Sequence, residues 1–197
     1  MSFRIEHKIK IDISSLMKFK SWITKNGAKR LHPDRIVNSI YYDNFKHEMY
    51  HDSIEGICPR KKIRIRNYPN DKSQKFFFEK KISSPDGRFK EKKNLDIKEF
   101  ELVKKFGYFD DLYKSCHPKL FVEYLREYYD ANICRLTIDT NIRYTNFKRL
   151  NYNKSDPYIA VEIKANIQSD LDKLMSEFPF QRVRFSKYCR GFDFLFS

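Results

Sequence analysis

Short stretches of this chain alternate charge with hydrocarbon. In Ile5-Glu6-His7-Lys8-Ile9-Lys10-Ile11, the residues Glu6, Lys8 and Lys10 share one face and Ile5, Ile9 and Ile11 share the other, because successive side chains of a strand point to opposite sides. The pattern recurs in Ile63-Arg64-Ile65-Arg66, Phe77-Phe78-Glu79-Lys80-Lys81 and Ala160-Val161-Glu162-Ile163-Lys164. Strands are expected at roughly 4–11, 36–43, 60–67, 75–82, 120–129, 133–142, 158–165 and 182–187. Asn67-Tyr68-Pro69-Asn70-Asp71 supplies turn residues for a hairpin, and Ser84-Pro85-Asp86-Gly87 marks a further turn. The polar run from Thr145 to Pro157 reads as a long loop.

Three segments carry helical spacing instead. Ser14 or Ser15 can cap a helix with Leu16, Phe19 and Ile23 on its apolar stripe, ending at Gly27. A second runs from about Asp96 to Phe106, with Phe100 and Val103 one turn apart and Gly107 beyond its end. A third starts near Ser169, buries Leu171, Leu174 and Met175, and stops before Pro179. Helices scattered among many strands predict an α+β fold. Charged strand faces favour an antiparallel β-barrel with the helices packed outside.

At 197 residues and 41% hydrophobic content the chain suits one domain, 1–197, with a real core. The net charge of +14 points to an anionic partner, although a lysine-rich solvated surface gives the same number. Cys58, Cys116, Cys134 and Cys189 are too widely spaced for a zinc site and read as free thiols of a reducing compartment. Met1 leads straight into charged residues and no apolar run would span a bilayer, so a cytoplasmic protein is expected; a membrane partner remains compatible with that.

The basic residues on the alternating strands are Lys8, Lys10, Arg64, Arg66, Lys81, Arg126, Arg135 and Lys164. An Arg fork grips two phosphate oxygens, whereas Lys acts as a mobile point charge. Gathered inside a barrel, each close pair of like charges would cost on the order of 4 kcal/mol at an effective dielectric near 20. Such an interior requires a polyanion, solvent and carboxylates. On an open sheet the same faces would look outward. Glu6, Glu79, Asp139 and Glu162 share these faces. They either balance neighbouring cations or bind a hard divalent ion, which takes one or two carboxylates plus substrate phosphates.

Taken in order, the segments resemble the VTC domain, the polyphosphate polymerase branch of the triphosphate tunnel metalloenzymes, a CYTH-like superfamily. The resemblance rests on Arg4-Ile5-Glu6-His7-Lys8, Ser39-Ile40-Tyr41-Tyr42-Asp43, Ile63-Arg64-Ile65-Arg66, Phe78-Glu79-Lys80-Lys81, Tyr124-Leu125-Arg126, Arg135-Leu136-Thr137-Ile138-Asp139, Val161-Glu162-Ile163-Lys164 and Phe185-Ser186-Lys187-Tyr188. Each motif is weak alone; the ordered set covers nearly the whole chain. It implies an eight-stranded antiparallel tunnel that holds the triphosphate of ATP and a growing inorganic polyphosphate chain, or pyrophosphate or tripolyphosphate. By motif, Lys8, Arg64, Arg66, Lys81 and Arg135 would act on the phosphates in catalysis. Lys10, Tyr124, Arg126, Lys164, Arg184, Ser186 and Lys187 would bind substrate. Glu162 would hold Mn²⁺ or Mg²⁺. Glu6, Glu79 and Asp139 would balance charge or bind a second metal.

The first strand departs from the hydrolytic members of that superfamily. They carry Glu-x-Glu-x-Lys, and here Lys8 replaces the middle Glu. Losing that carboxylate favours a polymerase over a triphosphatase. Arg184 stands where the family often has Lys, and no counterpart of the phosphate-sensing and membrane-spanning parts of eukaryotic relatives is expected. A triphosphatase on the same scaffold and a non-catalytic polyphosphate binder are the rival readings. Nucleic acid is not an expected partner. His7 should face outward, Trp22 should pack, and Lys90-Glu91-Lys92-Lys93 reads as a solvated loop, with a role at a tunnel mouth as the alternative.

Overall fold

The computed structural model describes residues 4–71, 73, 75–131, 134–166 and 183–196. They comprise strands β1 (Arg4–Asp12), β2 (Lys29–Asp43), β3 (Arg60–Asn67), β4 (Phe76–Ser84), β5 (Gly87–Leu95), β6 (Tyr108–Asp110), β7 (Lys114–Asp130), β8 (Cys134–Asn146), β9 (Asn153–Ser155) and β10 (Tyr158–Asn166). The helices are α1 (Leu16–Lys25), α2 (Glu48–Glu55), α3 (Ile97–Phe106) and α4 (Lys187–Phe196). The chain divides into two compact units. The first draws on Met1–Arg35, Tyr124–Ile142 and Ser155–Phe185; the second on Ile36–Glu123, Arg143–Lys154 and Ser186–Ser197.

In the first unit β1 pairs antiparallel with β10, and β10 with β8. The inward faces of these strands carry Ile9, Ile11, Leu136, Ile138, Ile159, Val161 and Ile163, which form one core with Phe19 and Ile23 of α1. Burying each such side chain contributes about 1.5–3 kcal/mol. That burial holds α1, since Ser15 at its N-cap makes no side-chain capping bond. Because the strand period is two, a core on one face commits every charged neighbour to the other.

In the second unit β2, β3, β4 and β5 pair antiparallel in sequence order, and β6 pairs with β7. The hairpin between β3 and β4 forms as expected. Asp96 caps α3 in a reciprocal box, accepting from the Glu99 backbone at 2.8 Å while Glu99 accepts from the Asp96 backbone at 3.0 Å. Gly107, beyond α3, has φ 85°. A Cβ there would sit 2.4 Å from the Cys116 carbonyl, so only glycine fits. Gly191 of α4 plays a packing role: a Cβ would fall 2.5 Å from Leu120 and 2.8 Å from Tyr144.

Several expectations are corrected. The pairing order β1-β10-β8-β7-β2-β3-β4-β5 is an open path, so among the described residues the sheet is not closed into a barrel. The strand expected at 182–187 is absent from its described part: residues 183–186 have no regular structure and α4 begins at Lys187. Tyr188, Phe192 and Leu195 are buried at helical spacing there. The lysine-rich stretch read as a loop is part of β5, an exposed edge strand with no apolar face to betray it. α2 also escapes the pattern, burying only Met49 and Ser53, and the loop expected from Thr145 contains β9. The helix expected from Ser169 lies outside the described residues.

Candidate functional site

The charged face of the first unit is organised by register. Glu6, Lys164 and Arg135 lie in one row across β1, β10 and β8; Lys8, Glu162 and Thr137 form the next; Lys10, Ala160 and Asp139 the third. Glu162 forms an ion pair with Lys164 at 2.6 Å, and Glu6 pairs with Lys8 at 3.3 Å. Burial would raise the Glu162 pKa, but Lys164, Lys8 and Arg126 together hold it well below the usual carboxylate range. Arg126 donates to both oxygens of Asp139, at 2.6 and 2.7 Å, and lies 5.2 Å from the Tyr124 ring. Asp139 therefore balances Arg126. Lys10 sits over the Tyr158 ring at 4.2 Å. Arg135, Lys10 and Lys164 are exposed.

The second unit presents a different cluster. Arg64 donates to Glu79 at 2.7 Å and to the Tyr41 hydroxyl at 2.9 Å. Lys90 binds the other Glu79 oxygen at 2.5 Å. Burial works against ionisation of Glu79, yet Arg64, Arg66 and Lys90 lower its pKa to about 2. Arg66 donates to Ser39 at 3.3 Å. Lys62, Lys81 and Lys90 face one another in a single cross-strand row, a repulsive arrangement that an anion would relieve. Lys62 also donates to the Ser186 hydroxyl at 3.0 Å.

The start of α4 is fixed by a buried carboxylate. The Tyr188 hydroxyl donates to Asp43 at 2.6 Å, and Asp43 also accepts from the backbone N–H groups of Asn44, Met49 and Tyr50. One side chain at the end of β2 thus secures both α2 and α4. Tyr188 in turn packs against Tyr41, with ring centroids 5.3 Å apart.

The predicted site residues separate accordingly. Lys8, Lys10, Tyr124, Arg126, Arg135, Lys164, Glu6, Asp139 and Glu162 fall in the first unit, and Arg64, Arg66, Lys81, Ser186, Lys187 and Glu79 in the second. Arg184 lies in the first unit, exposed and outside the strands. Lys62, Tyr41 and Lys90 stand beside Arg64, Arg66 and Glu79 without being among the predicted site residues. Lys62 precedes Arg64 by two residues, so alternation alone could have found it; Lys90 required recognising β5.

Among the described residues no group of three or more His, Cys, Asp or Glu could cage a metal. The donors near Glu162 nevertheless fit a hard divalent cation. The Thr137 hydroxyl, opposite Glu162 in the register, is buried without a hydrogen-bond partner, and Glu6 stands on the neighbouring strand. Oxygen donors few in number suit Mg²⁺ or Mn²⁺ completed by phosphate oxygens.

The VTC domain family model matches residues 3–108 and again 90–196. This chain belongs to the VTC domain family. No curated protein matches it. Among solved structures, the VTC domain described here is similar to a candidate adenylate cyclase from Bacillus halodurans, at 15% identity and TM-score 0.63, over 98% of this chain and 99% of that one. A candidate adenylate cyclase from Vibrio parahaemolyticus gives 10% identity and TM-score 0.58, with 98% of both chains covered. A candidate adenylyl cyclase from Hippeastrum, with a dominant triphosphatase activity, gives 14% identity and TM-score 0.56 over 96% of both. At such identities the likeness shows a shared fold. Among the described residues no helix is long and apolar enough to cross a membrane.

Proposed function

We propose that this VTC domain, acting as one domain in the cytoplasm, is an ATP-dependent polyphosphate polymerase. The observation that carries the reading is the alternation itself. Nearly every cation singled out by the family motifs lies on a strand face with carboxylates beside it, and in the first unit an apolar core occupies the opposite face. ATP and a linear polyphosphate, or its pyrophosphate and tripolyphosphate relatives, are the anions of matching chemistry.

In this reading Arg64, Arg66, Lys62, Lys81 and Lys187, with Ser186, bind phosphate oxygens in the second unit. Lys8, Lys10, Arg126, Arg135, Lys164 and Arg184 do so in the first, where Tyr124 helps position the substrate. Glu162, with Thr137 and Glu6 near it, would hold Mn²⁺ or Mg²⁺, which would supply positive charge to phosphate oxygens. A terminal phosphate oxygen attacks the γ-phosphorus of ATP in line. A new phosphoanhydride bond forms, the bond to the β-phosphate oxygen breaks, and ADP leaves with that electron pair. The side chains contribute positioning and fixed positive charge, with no covalent nucleophile. Lys8, in place of a carboxylate, leaves little to activate water.

Incubation with ATP and Mn²⁺ followed by a polyphosphate-stained gel tests the proposal. Polymer is expected from the wild type, with at least a hundredfold loss in Glu162→Gln. Phosphate release without polymer would instead establish hydrolysis, the second reading, which the triphosphatase activity of the Hippeastrum protein favours.

A further inference from the structure

The far end of α4 faces a cleft that the polymerase reading does not use. Its volume is about 340 Å³, and its walls include Lys119, Lys148, Arg149, His47, Tyr152 and Phe196, all in the second unit. Lys187, at the start of α4, is about 13 Å away along the helix axis at 1.5 Å per residue. Three of the cations elsewhere among the described residues are each matched by a carboxylate: Arg64 by Glu79, Arg126 by Asp139, Lys61 by Asp110. Among the described residues, no carboxylate lines the wall of this cleft. Lys119, Lys148 and Arg149 form no ion pair among the described residues.

The cations are held in place. The Asn146 side chain accepts from the backbone N–H groups of Lys148 and Arg149 at 2.9 and 3.0 Å, which fixes the turn carrying both. The Lys119 carbonyl accepts from the Phe147 backbone at 2.9 Å, tying the third cation to the same turn. Burial and the charge of Lys148 push the Lys119 pKa down, as expected of an ammonium crowded by a like charge. Beside the cations stand ring surfaces. His47 packs edge-on against Phe196 at 5.4 Å, and Tyr152 and Phe196 are 41% and 38% exposed. Leu150, on the same turn, is 70% exposed.

We infer that this cleft is a second anion site, taking a phosphate group attached to an aromatic or apolar body. The three cations receive the phosphate, as point charges from the lysines and a fork from Arg149. The Tyr152 and Phe196 rings receive the body. A free nucleotide and the headgroup of an anionic lipid share that chemistry. The inference stands apart from the polymerase reading and does not depend on it.

Two probes on the full chain separate the sources: ADP by calorimetric titration, and phosphatidylserine vesicles by co-sedimentation. Lys148 and Arg149 are exposed, so the double variant Lys148→Ala, Arg149→Ala should fold. Lys98→Ala, Lys105→Ala on α3 removes the same charge elsewhere and serves as the control. If the source is a nucleotide, the cleft variant loses one equivalent of ADP and the control loses none. The stoichiometry then falls from two to one where the strand clusters also bind ADP, and from one to none where they do not, which keeps the two readings distinguishable. If the source is a lipid, vesicle binding falls at least tenfold in the cleft variant and less than twofold in the control. The inference is overturned if both probes bind the cleft variant as they bind the control. A lowered Tm with unchanged binding would show that these cations only complement the carbonyl end of α4.

Discussion

Glu162 in the first unit and Glu79 in the second occupy the same place in the alternating pattern, each on a charged strand face beside bases. Their surroundings differ. Both oxygens of Glu79 are taken, one by Arg64 and one by Lys90, and its side chain is only 4% exposed. Glu162 has one close ion pair, with Lys164, whose side chain is 44% exposed, and a buried hydroxyl without a partner stands opposite on β8. A carboxylate clamped by a rigid guanidinium is part of the scaffold. A carboxylate held by a mobile, solvated lysine can exchange that lysine for a metal. On the proposed reading, this difference makes Glu79 a charge-balancing residue and leaves Glu162 as the carboxylate that would bind metal.

The sharpest way to break that comparison is to neutralise each acid. Glu79→Gln leaves Arg64 buried without its counter-charge and should destabilise the protein by about 3 kcal/mol. Glu162→Gln also removes a carboxylate stabilised by Lys164, Lys8 and Arg126, but Lys164 is 44% exposed and can be solvated, so the loss should be smaller, about 1–2 kcal/mol. Urea unfolding of the two variants compares them directly, and equal losses would erase the distinction. The pH dependence sharpens the same point. Glu79 has a folded pKa of about 2, below the ordinary 4.5. Its contribution is complete above about pH 4.5 and is lost as the pH falls toward 2. Wild type should therefore lose stability across that window, and Glu79→Gln should show a flatter profile there. A smaller effect is expected at Tyr188→Phe, which removes one donor from buried Asp43 and should cost about 1–2 kcal/mol. Unchanged stability would mean that Asp43 fixes α2 alone.

Much of this was legible in the chain. Ile9 and Ile11 against Lys8 and Lys10, or Val161 and Ile163 against Glu162 and Lys164, fix both the strands and their charged faces with no further information. The ion-pair partners were not legible. That Arg126 takes Asp139, or that Lys90 reaches Glu79, depends on cross-strand register, which no local pattern specifies. β5 escapes the pattern because an edge strand exposed over nearly its whole length, with only Leu95 buried, has no hydrophobic period. α2 has no capping signal of its own: its N-cap, His47, makes no side-chain capping bond, and its first N–H groups bond instead to Asn44 and to Asp43 at the end of a strand. Barrel closure was expected from the charged strand faces together with the strand count, and the described part of its last strand coincides with the irregular lead-in to α4, where Tyr188, Phe192 and Leu195 follow a helical period.

The most direct test of the division of labour is Mn²⁺ binding in the presence of tripolyphosphate, read from the electron paramagnetic resonance signal of free Mn²⁺. It compares wild type, Glu79→Gln and Glu162→Gln at a temperature where all three are folded. Wild type and Glu79→Gln should hold the metal alike, and Glu162→Gln should bind it at least tenfold more weakly. Wild-type affinity in Glu162→Gln, or loss of the metal in folded Glu79→Gln, would contradict the assignment of Glu162 as the metal ligand.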